Sequence, residues 1–265
     1  SQLPEVSNLF VPISPGDETN VFGAAYWATE RHIIKNDGDP RDQIPPLNTI
    51  YLGPEPTDSD LSSAIVEKDI QGKGFYIKEN VSSDVIVKML EKGDVVGRMC
   101  GRSEYGQRAL GNRSILANPS LPGTVEKINN QIKYRDFWMP FCPTILHSYS
   151  KKCLNNPKDI PSKYMTMSFP VIEKYRDNIQ GGIHSGDFTV RPQILYEDDN
   201  PDYYNLINNF SHKTGVGAVI NTSFNMHGEP IVGHPRDALN TLIKSDLDGV
   251  LVNNTLIARK KPKLD

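Results

Sequence analysis

The sequence lacks the features that define several common protein classes. No apolar run approaches the ~20 residues needed to cross a bilayer, and the N-terminal residues 1–4 carry no basic or apolar signal segment. The three cysteines, Cys100, Cys142 and Cys153, are an odd number without metal-type spacing. The six histidines include no HxxxH pair, so no metal site is complete within the chain. We therefore expect a cytoplasmic protein whose cysteines are reduced and mostly structural.

The sequence also lacks an excess of charge of either sign. The 29 basic and 32 acidic residues leave a net charge of -3. A surface that binds nucleic acid broadly is usually strongly basic, so we do not expect a nucleic-acid partner; the alternative is a local basic groove. The 265 residues can bury a sizeable core, as one large domain or two smaller ones.

Helical and strand patterns are intermixed along the chain without strict βαβ alternation, which favours an α+β, mixed-sheet domain over a doubly wound parallel one. The clearest helix is 82–92, where Val85, Ile86, Met89 and Leu90 recur at helical spacing before a glycine. Residues 36–60 are rich in Pro, Asp, Asn and Gly and predict a linker. Strands are predicted at 5–12, 74–77, 94–100, 141–146, 165–170, 217–220 and 249–252, and further helices at 21–28, 62–68, 125–133, 203–212 and 235–244.

Residues 101–114 are the most unusual stretch, with three arginines, three glycines and one glutamate in fourteen residues. Arginine presents a planar fork of donors that matches phosphate or carboxylate oxygens, and glycine lets the backbone lie close to a ligand. Because the stretch follows the predicted strand 94–100, it predicts an anion-binding loop. The alternative is a surface loop with solvated arginines.

Three further polar clusters follow. Lys133 and Arg135 would share one face if extended, which favours an anion between them. The alternative is a solvated helix end, because cations also favour helix C-termini. Residues 184–193 hold several side chains able to bond polar ligand atoms. Residues 221–230 form a predicted polar loop after an apolar strand, where its Asn and Ser residues could bind a ligand or simply cap turns. No order of residues predicts a covalent nucleophile, so the set suits charge stabilisation of phosphoryl or acyl-phosphate chemistry.

These motifs resemble the hallmarks of the O-carbamoyltransferases of nodulation and antibiotic biosynthesis. The resemblance covers residues 9 to 253 and rests on four motifs in the family's order. They are Gly101-Arg102-x-Glu104-x-Gly106-x-Arg108-Ala109-Leu110-Gly111-Asn112-Arg113-Ser114-Ile115-Leu116, then Lys133-x-Arg135 with Pro140-Phe141-x-Pro143, then Arg191-x-Gln193, and last Asn221-Thr222-Ser223-Phe224-Asn225 with Gly228-Glu229-Pro230.

The resemblance implies that residues 61–265 form a YrdC-like domain, an α/β twisted open sheet with a deep positively charged cavity. It implies that this domain binds carbamoyl phosphate and ATP, forms carbamoyl-adenylate and releases pyrophosphate. Residues 1–60 would be a linker and the tail of an actin-like domain, absent here, that passes the carbamoyl group to a hydroxyl of a small-molecule acceptor. We expect Mg²⁺ to accompany ATP, since the loops carry few carboxylates. The alternative is a YrdC-like module that binds RNA, or binds nucleotide for regulation without turnover.

Residue roles follow from the same resemblance. Lys133, Arg135 and Arg108 would be catalytic, holding carbamoyl phosphate and polarising its acyl carbon. Asp17 matches a metal-binding aspartate that, with two histidines of the actin-like domain, would hold iron in the complete enzyme only. Met139 stands where some family members have arginine. The residues expected to bind substrate or nucleotide are Arg102, Glu104, Arg113, His184, Arg191, Gln193, Asn221, Ser223 and Asn225.

Overall fold

The computed structural model describes residues 3–136 and 138–263. Residues 1–2 of the predicted region 1–60 lie outside these ranges, as do residues 137 and 264–265 of the predicted region 61–265. The strands are β1 (Tyr76–Lys78), β2 (Val96–Met99), β3 (Arg113–Ala117), β4 (Cys142–Leu146), β5 (Phe169–Pro170), β6 (Thr189–Val190), β7 (Gln193–Leu195), β8 (Ala218–Ser223), β9 (Gly249–Val252) and β10 (Thr255–Ala258). The helices are α1 (Asn20–Lys35), α2 (Pro40–Gln43), α3 (Asp58–Glu67), α4 (Ser83–Glu91), α5 (Thr124–Ile128), α6 (His147–Cys153), α7 (Pro201–Thr214) and α8 (Pro235–Lys244).

Within the described residues the main sheet has eight strands in the order β1-β10-β9-β2-β3-β8-β4-β7. Pairing is antiparallel except between β2 and β9 and between β4 and β7, which are parallel. Strands β5 and β6 pair separately. This open sheet of mixed direction confirms the predicted α+β class.

The sheet separates two hydrophobic cores. One face packs against α4, α6 and α7, and the other against α3, α5 and α8. Every residue of β2, β3 and β4 is buried as a result, because strands covered on both faces have no solvent side.

Local signals explain where several helices begin and end. In α4 the four apolar residues that predicted the helix are all buried. The Thr57 hydroxyl and the Asp60 carboxylate form a reciprocal capping box at the start of α3. Asn200 caps α7 by accepting a hydrogen bond from the Tyr203 N–H, and Gly215 ends it with φ of 77°.

Three predictions of secondary structure outside the candidate site differ from the structure. No strand forms at 5–12, because a strand needs a partner for its backbone groups and no described strand lies beside it. The predicted linker 36–60 contains α2 and the first turn of α3. The 249–252 strand is not the last one, since β10 pairs with it in a tight hairpin.

The prediction of a strand at 165–170 holds only for its last two residues, which form β5. Strands β6 and β7 have no counterpart among the predictions. None of the described helices combines the length and the apolar character that crossing a bilayer requires.

Candidate functional site

The loop between β2 and β3 is organised by one carboxylate. Glu104 Oε1 accepts hydrogen bonds from the backbone N–H groups of Leu110, Asn112 and Arg113, the last two at 3.2 and 3.3 Å. A carboxylate that accepts several backbone donors holds a turn firmly. Glu104 therefore shapes the loop from within and does not line the cavity described below.

Two of the three loop arginines bind the backbone. Arg113 is only 1% exposed; its Nη1 donates to the carbonyl oxygen of Gly101 at 3.0 Å, and its Nη2 donates to that of Pro54 at 2.8 Å. Arg102 donates to the carbonyls of Leu52 and Gly53 at 2.6 and 3.1 Å. Both guanidiniums thus tie the loop to the segment before α3, and only Arg108 is left to face a ligand.

Arg108 meets two other predicted arginines around one cavity of about 500 Å³, which we name the arginine pocket. Its lining includes Arg108 from the loop, Arg135 from the turn after α5 and Arg191 from the connection between β6 and β7. The other lining residues are Trp138, Met139, Pro140, Phe141, Cys142, Ser168, Gly182, His184, Asp187 and Thr189.

The three arginines repel one another. Burial lowers the pKa of Arg108, and the charge of Arg191 lowers it further. Burial is also the main cause that lowers the pKa of Arg135, with Arg191 and Arg108 acting in the same direction. Within residues 3–136 and 138–263, none of the three forms an ion pair with a carboxylate. The repulsion among the three guanidiniums falls when an anion binds between them.

Two of the three arginines are instead held by neutral groups. Arg135 Nη2 donates to Thr222 Oγ1 at 3.2 Å, and its guanidinium carbon lies 4.9 Å from the centre of the Phe141 ring. Arg191 donates from Nε and Nη2 to the sulfur of Cys142 at 3.3 and 3.1 Å. These contacts orient each guanidinium without neutralising its charge.

A histidine and an aspartate also line the pocket. Asp187 accepts hydrogen bonds from the backbone N–H of Thr189 at 3.0 Å and from its hydroxyl at 2.8 Å, and lies 3.1 Å from Nδ1 of His184. The backbone bond from Thr189 is the main cause of the lowered pKa of Asp187. This carboxylate is therefore engaged within its own turn.

Lys133 lies apart from the pocket lining and binds two other predicted residues. Its Nζ donates to the Ser223 carbonyl and hydroxyl at 2.6 and 3.1 Å and to the Asn225 carbonyl and side-chain oxygen at 2.9 and 2.6 Å. Burial, and secondarily the charge of Arg135, lowers the pKa of Lys133 to about 7. The condition that residues 133–135 are extended is not met, because Lys133 ends a π-helical turn and Tyr134 has φ of 49°.

Gln193 binds the loop between β2 and β3, and it shares a threonine partner with Asn221. Gln193 donates to the Leu110 carbonyl at 3.0 Å and accepts from the Thr144 hydroxyl at 2.8 Å. Asn221 donates to the same hydroxyl at 2.9 Å. Asn221 and Ser223 belong to β8, so the prediction that they form a loop is wrong.

Residues 87–259 match the family described as carbamoyltransferase C-terminus. The chain belongs to this family. It is 37% identical to an uncharacterised protein of Methanocaldococcus jannaschii over 98% of this chain and 48% of that protein. It is 34% identical to nodulation protein NolNO of Sinorhizobium fredii, over 96% of this chain and 36% of that protein. It is 30% identical to the 3'-hydroxymethylcephem-O-carbamoyltransferase of Amycolatopsis lactamdurans, over 98% of this chain and 45% of that protein.

The chain thus spans about half or less of the length of these relatives. Among solved structures, full-length HypF in its phosphate- and nucleotide-bound form aligns with a TM-score of 0.45 and 14% identity. That alignment covers 70% of this chain and 22% of the HypF chain.

For this carbamoyltransferase family member, the predicted site residues fall into separate groups. Arg108, Arg135, Arg191 and His184 line one cavity. The other predicted residues on described positions lie outside its lining: Lys133 with Ser223 and Asn225, Gln193 with Asn221, and Glu104, Arg102 and Arg113 within the loop. Their roles in binding or catalysis stay predictions.

Cys142 and Asp187 are pocket residues that the site prediction omits. Asp187 lies inside the polar stretch 184–193, which was a usable signal. Cys142 was expected, with the other cysteines, to be mostly structural, and its position between Phe141 and Pro143 in an apolar strand gave no signal that it lines a cavity.

Asp17 lies exposed in a short 3₁₀ turn, Asp17–Thr19. No group of three or more His, Cys, Asp or Glu residues that could hold a metal ion exists among the described residues. An iron ion therefore does not fit the described part of this chain, and we derive no step through one.

Proposed function

We propose that residues 61–263 bind carbamoyl phosphate and ATP in the arginine pocket and form carbamoyl-adenylate. The observation that carries this proposal is the convergence of Arg108, Arg135 and Arg191 on one cavity of about 500 Å³. Its volume falls in the range of roughly 300–1,000 Å³ typical of small-molecule sites. Three guanidiniums without carboxylate partners suit a ligand that carries several negative charges.

The pocket suits hydrolysis of carbamoyl phosphate followed by transfer of an adenylyl group. Water first cleaves carbamoyl phosphate into carbamate and phosphate. A carbamate oxygen then attacks the α-phosphorus of ATP, so that pyrophosphate leaves and carbamoyl-adenylate forms. Negative charge develops on the phosphate oxygens in both steps, and fixed guanidiniums stabilise it without reorganising. We expect Mg²⁺ to be held mainly by the phosphate oxygens of ATP, where it would neutralise part of their negative charge.

Lys133 serves this site as a positioning residue. Its four contacts hold the backbone of Ser223 and Asn225 beside Thr222, which in turn anchors Arg135. Loss of Lys133 would therefore displace Arg135 as well as weaken the segment that it binds.

Arg135→Gln tests the proposal. We expect the dissociation constant of carbamoyl phosphate, measured by calorimetry, to rise at least tenfold, because a charge-assisted hydrogen bond contributes about 1.5–3 kcal/mol. Arg236→Gln is the matched control: Arg236 is an exposed arginine of α8, outside the pocket lining, and its loss should leave the dissociation constant unchanged.

Pyrophosphate exchange into ATP, dependent on carbamoyl phosphate, separates the proposed enzyme from the two alternatives. Binding of nucleotide without exchange would favour a regulatory module. Tight RNA binding without carbamoyl phosphate binding would favour an RNA-binding module. Either result, or an equal effect of both arginine variants, would refute the proposal.

We further propose that residues 1–60 are a linker and the tail of an actin-like domain of the longer protein, which transfers the carbamoyl group to a small-molecule hydroxyl. In α1 the side chains of Val21, Trp27 and Ile34 are 60, 60 and 52% exposed. An apolar cavity of about 500 Å³ lies beside α1, lined in part by Phe10 and Phe22. Apolar surface of this kind usually marks an interface.

A further inference from the structure

A second cavity, of about 340 Å³, adjoins the arginine pocket. The two cavities share four lining residues, Trp138, Met139, Pro140 and His184. We name the second cavity the tryptophan pocket. Its volume falls in the range of roughly 300–1,000 Å³ typical of small-molecule sites. Because the cavities share a wall, a ligand that reaches past Trp138 can occupy both at once.

The two cavities differ in charge. Three arginines line the arginine pocket, whereas no lysine or arginine is among the described residues that line the tryptophan pocket. Glu126 of α5 is the acidic residue of that second lining, and it forms no ion pair within residues 3–136 and 138–263. An unneutralised carboxylate repels phosphate groups. A ligand with a phosphate end and an uncharged end would therefore place its phosphates among the arginines and its uncharged end in the tryptophan pocket.

The wall between the cavities presents an exposed aromatic side chain. Trp138 is 55% exposed, and Met139 next to it is 47% exposed. Single exposed apolar residues are ordinary on protein surfaces, but this pair lies where two cavities meet, one of them lined by cations that repel one another. Nucleic bases stack on tryptophan because every base has a π face. A nucleotide combines such a base with phosphates, and it therefore matches both cavities.

We propose that the tryptophan pocket holds the base of a purine nucleotide, stacked on Trp138, while the phosphates of the same nucleotide lie in the arginine pocket. This inference rests on the proposed function, which supplies ATP as the ligand, and it adds the orientation of ATP. The apolar side chains of Leu121, Val125 and Ile183, which line the tryptophan pocket, surround the base. Glu126 offers an acceptor to the exocyclic amine of adenine. Carbamoyl phosphate has no base, so its binding does not involve Trp138.

Replacement of Trp138 should separate the two ligands. Trp138→Leu should raise the dissociation constant of ATP, measured by calorimetry without carbamoyl phosphate, about tenfold, on the scale of one lost stacking contact. The dissociation constant of carbamoyl phosphate should stay unchanged. Trp27→Leu is the matched control, because Trp27 is 60% exposed on α1 and belongs to neither lining. It should change neither constant.

Fluorescence provides a second measurement that keeps Trp138 in place. The chain has two tryptophans, so Trp27→Phe leaves Trp138 as the only indole. ATP should quench the emission of this variant, whereas inorganic triphosphate, which has the charges but no base, should not. Trp138→Phe leaves only Trp27, and ATP at the same concentration should not quench it. Equal quenching of the two variants by ATP, or equal quenching of Trp138 by ATP and triphosphate, would overturn the proposal.

These measurements separate the orientation of ATP from the proposed reaction. Unchanged ATP affinity in Trp138→Leu, or equal losses for ATP and carbamoyl phosphate, would overturn the assignment of the base, whether or not pyrophosphate exchange occurs. Base-dependent quenching of Trp138 in a protein without pyrophosphate exchange would support the assignment of the base and refute the formation of carbamoyl-adenylate.

Discussion

Two helices of this protein use their apolar residues in opposite ways. In α4, five of nine residues are buried between the sheet and α7. In α1, sixteen residues long, only Ile33 is buried, and Trp27 is 60% exposed. The sheet and the helices packed on it therefore bury their apolar residues against one another, whereas α1 presents apolar surface that the described residues leave uncovered.

The N-terminal region is nevertheless tied to the candidate site. The Tyr105 hydroxyl donates to the Glu18 carbonyl, and the rings of Tyr105 and Phe22 meet edge to face with centres 4.8 Å apart. Tyr51 bridges to Glu104 in the same loop and donates to the Leu110 carbonyl at 2.9 Å. A shift of residues 14–51 would therefore reach the loop that carries Arg108.

The largest effect should come from the sheet's core. Phe224 is 0% exposed, and its ring lies so close to Gly97 that a Cβ there would meet it at 2.5 Å. We expect Phe224→Ala to lower the free energy of unfolding in urea by about 3–5 kcal/mol. Phe10→Ala is the matched control at an 88% exposed position, where we expect less than about 0.5 kcal/mol. Similar losses at both positions would contradict the comparison.

The next largest effect should be a dependence of the free energy of unfolding on pH that comes from Lys133. The pKa of Lys133 is lowered to about 7 in the folded protein, from the ordinary value of 10.5. Between these values the unfolded chain binds more protons, so the contribution of Lys133 to stability rises with pH through this window. Relative to Lys133→Met, the wild-type protein should gain up to about 1.4 kcal/mol per pH unit from pH ~7 to ~9 in urea unfolding. Parallel pH profiles for the two proteins would show that Lys133 keeps its ordinary pKa.

The smallest effect should come from α1. Trp27→Ser should change the free energy of unfolding by less than about 0.5 kcal/mol, because the side chain is mostly solvated. Leu90→Ser, at a fully buried position of α4, is the contrasting variant and should cost several times more. A large loss at Trp27 in thermal or urea unfolding would show that α1 is part of the same cooperative core.

Regular elements with strong local signals were predictable. The spacing of Val85, Ile86, Met89 and Leu90 predicted α4 because helical periodicity places these residues on one face. The strand predicted at 5–12 failed because alternating or apolar residues indicate a strand only where another strand supplies hydrogen-bond partners. The prediction of a last strand at 249–252 leaves out β10, which follows β9 after only two residues, Asn253 and Asn254.

The sequence by itself determined the chemistry of the candidate site: clustered arginines, a lysine and amides, with no ordered triad for covalent catalysis. The tertiary structure alone decided which of them face a ligand. Arg102, Arg108 and Arg113 are equivalent as sequence, but backbone carbonyls capture the first and the last. Arg108, Arg135 and Arg191 meet only because the sheet places β3, β8, β4 and β7 side by side, which brings together segments far apart in the chain. The same strand order places the Cys142 thiol against Arg191, and no local pattern encodes that contact.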